Sequence, residues 1–112
     1  MSYIQIGELY LVKEYCWFMF PTKELAMVTM VPMLVGALRA EGQICAKLLS
    51  ERYKCKVSFV EPNTYIVLLE ADEAEYCYKL LDSNGNIGWI GWIGWNSCSD
   101  FSRYFELVKA KQ

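Results

Sequence analysis

Apolar and polar side chains alternate most clearly in the second half of the chain. In Tyr53-Lys54-Cys55-Lys56-Val57-Ser58-Phe59 the apolar residues Tyr53, Cys55, Val57 and Phe59 share one face, and Lys54, Lys56 and Ser58 share the other. That two-residue period predicts a half-buried strand. Glu61-Pro62-Asn63-Thr64 supplies turn chemistry before a second strand at Tyr65 to Glu70. A third runs from Tyr76 to Leu81, with Tyr76, Tyr78 and Leu80 opposed to Cys77, Lys79 and Leu81. Asp82-Ser83-Asn84-Gly85-Asn86 then predicts a hairpin, because Asn84 and Gly85 both tolerate the positive backbone angles of the favoured two-residue turn. The return strand starts at Ile87, and Tyr104 to Val108 supplies a final extended piece after a bend or short helical turn within Asn96 to Ser102.

The first half opens with a strand at Gly7 to Lys13, placing Leu9 and Leu11 on one side and Glu8 and Tyr10 on the other. Cys16 to Phe20 is also extended and stops at Pro21, so the two pieces are expected to form an initial meander with a tight connection near Lys13 and Glu14. Thr22 is placed to cap Lys23-Glu24-Leu25, but Pro32 and Gly36 interrupt any long helix beyond it. Gln43 to Arg52 has helical spacing through Ile44, Lys47, Leu48 and Glu51, with Cys45 and Leu49 extending its apolar side and Gly42 interrupting the chain before it.

Ile87-Gly88-Trp89-Ile90-Gly91-Trp92-Ile93-Gly94-Trp95 fits neither period. Its triplet repeat would turn some indoles outward unless the strand bends, and the glycines permit either outcome. No side chain in this run can act as acid, base or nucleophile near neutral pH. Trp17 and Trp89 are expected in the core, while Trp92 and Trp95 divide evenly between partner contact and burial under the segment from Thr22 to Arg52. Tyr78 is expected to pack beside them.

The 112 residues suffice for one domain with one modest core, and a hydrophobic content of 54% requires much of the apolar surface to be hidden. With a net charge of -2, the chain has no general field to attract nucleic acid. The five cysteines make an odd number without a paired-thiol spacing, which points to buried, reduced thiols in a cytoplasmic setting. Lacking histidine, the chain has no histidine-based catalytic dyad or triad and no zinc knuckle. Asp82 and Asp100 sit in turns, the acids at Glu70, Asp72, Glu73 and Glu75 read as a solvated connection, and no phosphate-binding glycine loop is present. We therefore expect no enzyme, cofactor or metal site. Met1-Ser2-Tyr3-Ile4 lacks the features of a secretory leader, and Leu25 to Leu38 is too short to span a bilayer.

The ordered features at Leu80 to Ile90 and Phe105 to Val108 resemble the end of an SH3-like small barrel. Asn84-Gly85 corresponds to the distal hairpin, Gly88-Trp89-Ile90 to the returning strand, Ser102-Arg103-Tyr104 to the short helical turn, and Glu106-Leu107-Val108 to the closing strand. Gly7-Glu8-Leu9-Tyr10 resembles the opening strand. The resemblance implies a mainly β fold, a small SH3-like antiparallel barrel in one domain over 1–112 with an apolar, partly helical insertion at about 22–52. Similar barrels occur among accessory or structural proteins of tailed bacteriophages, implying a phage origin and the host cytoplasm as its location. The family's proline-peptide groove is not implied, because the first long loop lacks its paired aromatic and acidic pattern.

These observations lead to a non-enzymatic protein-protein interaction module, with another protein or a second copy of itself as partner and Trp89, Trp92, Trp95 and Tyr78 as contact residues. The alternative is single-stranded nucleic-acid binding, with bases stacked on Trp89, Trp92 or Trp95 and phosphates met by Lys54, Lys56 and Lys79.

Overall fold

A computed structural model describes residues 4–13, 16–28, 39–91 and 101–108. The elements in chain order are β1 (Leu9–Val12), β2 (Trp17–Met19), α1 (Lys23–Val28), α2 (Arg39–Tyr53), β3 (Ser58–Val60), β4 (Tyr65–Asp72), β5 (Cys77–Asp82), β6 (Ile87–Gly91), α3 (Phe101–Tyr104) and β7 (Phe105–Leu107). The fold is mainly β. An antiparallel five-stranded sheet has the order β6-β5-β4-β1-β7, and β2 pairs with β3 in a separate ribbon. One bridge, Phe20 to Trp89, ties the ribbon to the edge of the large sheet. Among the described residues the ladder does not close on itself, and no barrel closed by hydrogen bonds is shown.

The expected initial meander is absent. Both edges of β1 are occupied, by β4 on one side and β7 on the other, so β2 takes β3 as its partner. The alternation in β1 is as read, but its buried members are Tyr10 and Val12, leaving Leu9 on the outer side. Both faces of β2 are covered. Trp17 and Met19 enter the main core, while Phe18 and Phe20 join a second cluster with Ala26, Ala46 and Val57.

The main core is rich in rings. Phe101 stacks on Phe105 with centroids 4.4 Å apart, while Tyr10 meets the Phe101 ring edge-on at 5.1 Å. Trp17 reaches Tyr104 and Phe105 at 5.2 and 5.4 Å, joining the ribbon to the C-terminal elements. Such contacts add directional preference to the burial of large apolar areas.

Thr22 caps α1 as anticipated, its Oγ1 accepting from the Leu25 amide at 3.2 Å. The second helix extends further than its pattern suggested. It starts at Arg39, passes through Gly42 and continues to Tyr53, consuming the start of the alternating segment at 53–59. At Gly42 the missing side chain lets β3 approach the helix: an added Cβ would lie 3.1 Å from the Phe59 ring. The helix ends where Lys54 takes a positive φ of 53°. Ser50 secures the reversal by donating to the Ala46 carbonyl at 2.8 Å and accepting from the Val57 amide at 2.9 Å. Its buried side carries Gly42 and Ala46, and Ile44 and Leu48 face outward at 59% exposure each.

The β5–β6 hairpin forms, but only Gly85 of the expected pair has positive φ, at 84°. Buried Asp82 organises the turn in place of a second left-handed residue. Its Oδ1 accepts from the amides of Asn84 and Asn86 at 2.9 and 2.8 Å, and its Oδ2 accepts from Asn86 Nδ2 at 3.2 Å.

Candidate protein-contact surface

Strand register places the outward-facing residues of the large sheet in rows. Leu9 is paired with Val67, Val67 with Leu81 and Leu81 with Ile87, giving one apolar row across β1, β4, β5 and β6. Its ends are the most open, with Leu9 40% and Ile87 56% exposed. A neighbouring row contains Glu106, Leu11 and Tyr65. On the other side lie Glu70, Lys79 and Trp89. A shift of register between Leu68 and Glu70 inserts Leu69 and keeps Glu70 on the outer face opposite Lys79. The inner positions on these strands, including Ile66, Leu68, Leu80 and Ile90, form the core.

Trp89 stands where this face meets the ribbon and α1. Its amide and carbonyl exchange hydrogen bonds with Phe20 at 2.7 and 2.9 Å, so its backbone is directed away from Lys79 and the two side chains adjoin across a non-hydrogen-bonded pair. The indole is half-buried against the second cluster, and Lys23 Nζ lies 5.9 Å from its ring centroid. Lys23 also pairs with Asp72 at 2.7 Å, fastening α1 beside the outer face. The hydrogen bond and charge of Asp72 raise the Lys23 pKa; reciprocally, the hydrogen bond from Lys23 leads the lowering of the Asp72 pKa.

The glycine repeat has a local explanation at its first two positions. A Cβ on Gly88 would lie 2.7 Å from Met19 Cβ and 3.0 Å from the Phe20 carbonyl oxygen. A Cβ on Gly91 would lie 2.7 Å from the Ala26 carbonyl oxygen. These glycines permit β2 and α1 to approach β6, so this part of the repeat serves internal packing.

Of the anticipated contact residues that are described, Tyr78 and Trp89 lie on opposite faces of the large sheet. Tyr78 is only 3% exposed, with its ring 4.7 Å from Phe101, and therefore belongs to the core. Trp17 is buried, Trp89 lies at a margin, and the proposed contacts at Trp92 and Trp95 fall outside the described residues. Leu9, Val67, Leu81 and Ile87 form the continuous outer row that the sequence reading did not select. Their alternation was visible, but the orientation and pairing that align them arise across distant parts of the chain.

Two of the three lysines considered for phosphate contact have acceptors of their own. Lys56 Nζ donates to Asn86 Oδ1 at 2.8 Å, Lys79 pairs with Glu70 at 3.2 Å, and Lys54 occupies the end of α2. Burial, followed by the nearby Asp72 charge, pushes the Cys77 thiol up to about 11, opposing formation of a nucleophilic thiolate. Among the described residues no group of three or more His, Cys, Asp or Glu side chains is arranged to hold a metal ion. Nor does any described helix have the length and apolarity to cross a membrane. Comparisons with protein-family models, curated proteins and solved structures found no match.

Proposed function

We propose that this chain is a non-enzymatic protein-binding module that uses the outer face of its large sheet, with Trp89 at the margin. The carrying observation is the apolar row Leu9, Val67, Leu81 and Ile87, whose two ends remain open to solvent. Adjacent apolar groups presented by a rigid sheet favour protein contact because burial of the row removes water from several side chains together. The order β6-β5-β4-β1-β7, with α3 before the last strand, supports an SH3-like organisation with 22–52 as its insertion. Association with a tailed bacteriophage in its host's cytoplasm follows from the sequence resemblance and remains part of this proposal.

Affinity purification from the native cell, followed by reconstitution from purified components, tests the reading. Ile87→Asp should abolish partner binding while Ile44→Asp, on the exposed side of α2, retains it. Equal binding of every reconstituted partner to wild type and Ile87→Asp would overturn the assignment. The nucleic-acid alternative has less support, since Lys56 bonds Asn86, and Lys79 and Lys23, the cations beside the indole, are paired with Glu70 and Asp72.

A further inference from the structure

We infer that the occupant of this outer face is a second copy of the chain, paired through a two-fold axis parallel to the strands between β4 and β5. This inference rests on the protein-binding reading and specifies its partner. The rows have the required self-complementarity. Rotation about that axis exchanges the positions of β4 and β5 and of β1 and β6, bringing Ile87 of one copy against Leu9 of the other and Leu81 against Val67. The same rotation sets Lys79 against Glu70 of the second copy. One operation thus matches the apolar row with itself and opposite charges with one another, as an isologous interface requires.

The available area sets the strength. The three rows place nine side chains on these four strands, and at about 4.8 Å between strands and about 6.8 Å between rows they give roughly 300 Å² of face per copy, or about 600 Å² in the pair. That lies at the low end for specific association, so the dimer is reversible, with dissociation in the micromolar range or weaker. Helix α1 bounds the face beyond Trp89, because Gly91 packs against its Ala26 carbonyl and Lys23 reaches Asp72.

Sedimentation of the purified full chain, up to about 1 mM so that a micromolar dimer is well populated, measures this association. Wild type should approach twice the chain mass. Ile87→Asp should weaken pairing at least tenfold, roughly the effect of losing one buried apolar side chain, while Ile44→Asp leaves it unchanged. Lys79→Glu and Glu70→Lys should each dissociate alone, and mixing the two variants should restore a heterodimer. An exclusively intramolecular Lys79–Glu70 bridge cannot produce that rescue. Circular dichroism verifies that each variant is folded.

Monomeric wild type throughout this range overturns the inference. A dimer dissolved by Ile44→Asp but indifferent to Ile87→Asp also overturns it, as does absence of charge-swap rescue. Monomeric wild type combined with Ile87-dependent binding of another reconstituted protein rejects self-pairing and preserves the broader contact-surface reading.

Discussion

Gly88→Ala directly tests whether the first glycine of the tryptophan run is an internal packing device. Its new Cβ would approach Met19 Cβ at 2.7 Å and the Met19 backbone carbon at 3.1 Å, with the Phe20 carbonyl oxygen at 3.0 Å. Two of these neighbours are backbone atoms, so rotation of a side-chain tip cannot relieve the clash. Either β2 moves away or the reciprocal Phe20–Trp89 hydrogen bonds, at 2.7 and 2.9 Å, lengthen. Overpacking costs about 1–3 kcal/mol, and loss of one net hydrogen bond adds roughly 1 kcal/mol, so the expected destabilisation is about 2–4 kcal/mol. Urea unfolding followed by tryptophan fluorescence should show a midpoint lowered by about 1–2 M for a urea slope near 2 kcal/mol/M. Gly85→Ala supplies a comparison, because its added Cβ meets nothing within 4 Å and the substitution perturbs chiefly the positive-φ turn. Its expected cost is about 1–2 kcal/mol. A Gly88→Ala midpoint indistinguishable from wild type would refute the close-packing account.

Asp82→Ala should lower stability by about 2–4 kcal/mol, measured by thermal or urea unfolding, because it leaves the Asn84 and Asn86 amides without their buried carboxylate acceptor. The Lys23–Asp72 pair predicts a signed pH response: its Asp72-linked stability is present above the ordinary carboxylate value of 3.8 and lost as pH falls through the lower folded-state value. Stability measured across that acid interval should therefore fall less in Asp72→Asn than in wild type. In native thiol labelling read by peptide mass mapping, Cys45 and Cys55 should react before buried Cys16 and Cys77, and denaturation should remove the difference.

Local chemistry carried much of the secondary structure. Thr22 supplied a cap, Pro62-Asn63 a turn and Asp82 to Asn86 a hairpin, each acting over only a few residues. The segment at 53–59 departs from its local pattern, with Tyr53 in the helix and the strand beginning only at Ser58. Its alternation was genuine, but Ser50 could bond both within α2 and to Val57, allowing the helix to run through Tyr53 before the chain reversed. The contact surface was less legible still. Trp89 was recognisable as a large potential contact group, whereas Tyr78 was drawn inward by Phe101 and the outer row depended on four strands coming into register.

By itself, the order of side chains determined several strand periods, two turn regions, a helix start and the quantity of apolar material to be sheltered. Tertiary structure decided that Tyr10 and Val12 face inward while Leu9 faces outward, that β1 joins β4 and β7, and that Gly88 and Gly91 admit β2 and α1. The physical reason is range. Periodicity and capping are written in neighbouring residues, but the choice of buried face and strand partner depends on groups brought together from distant positions.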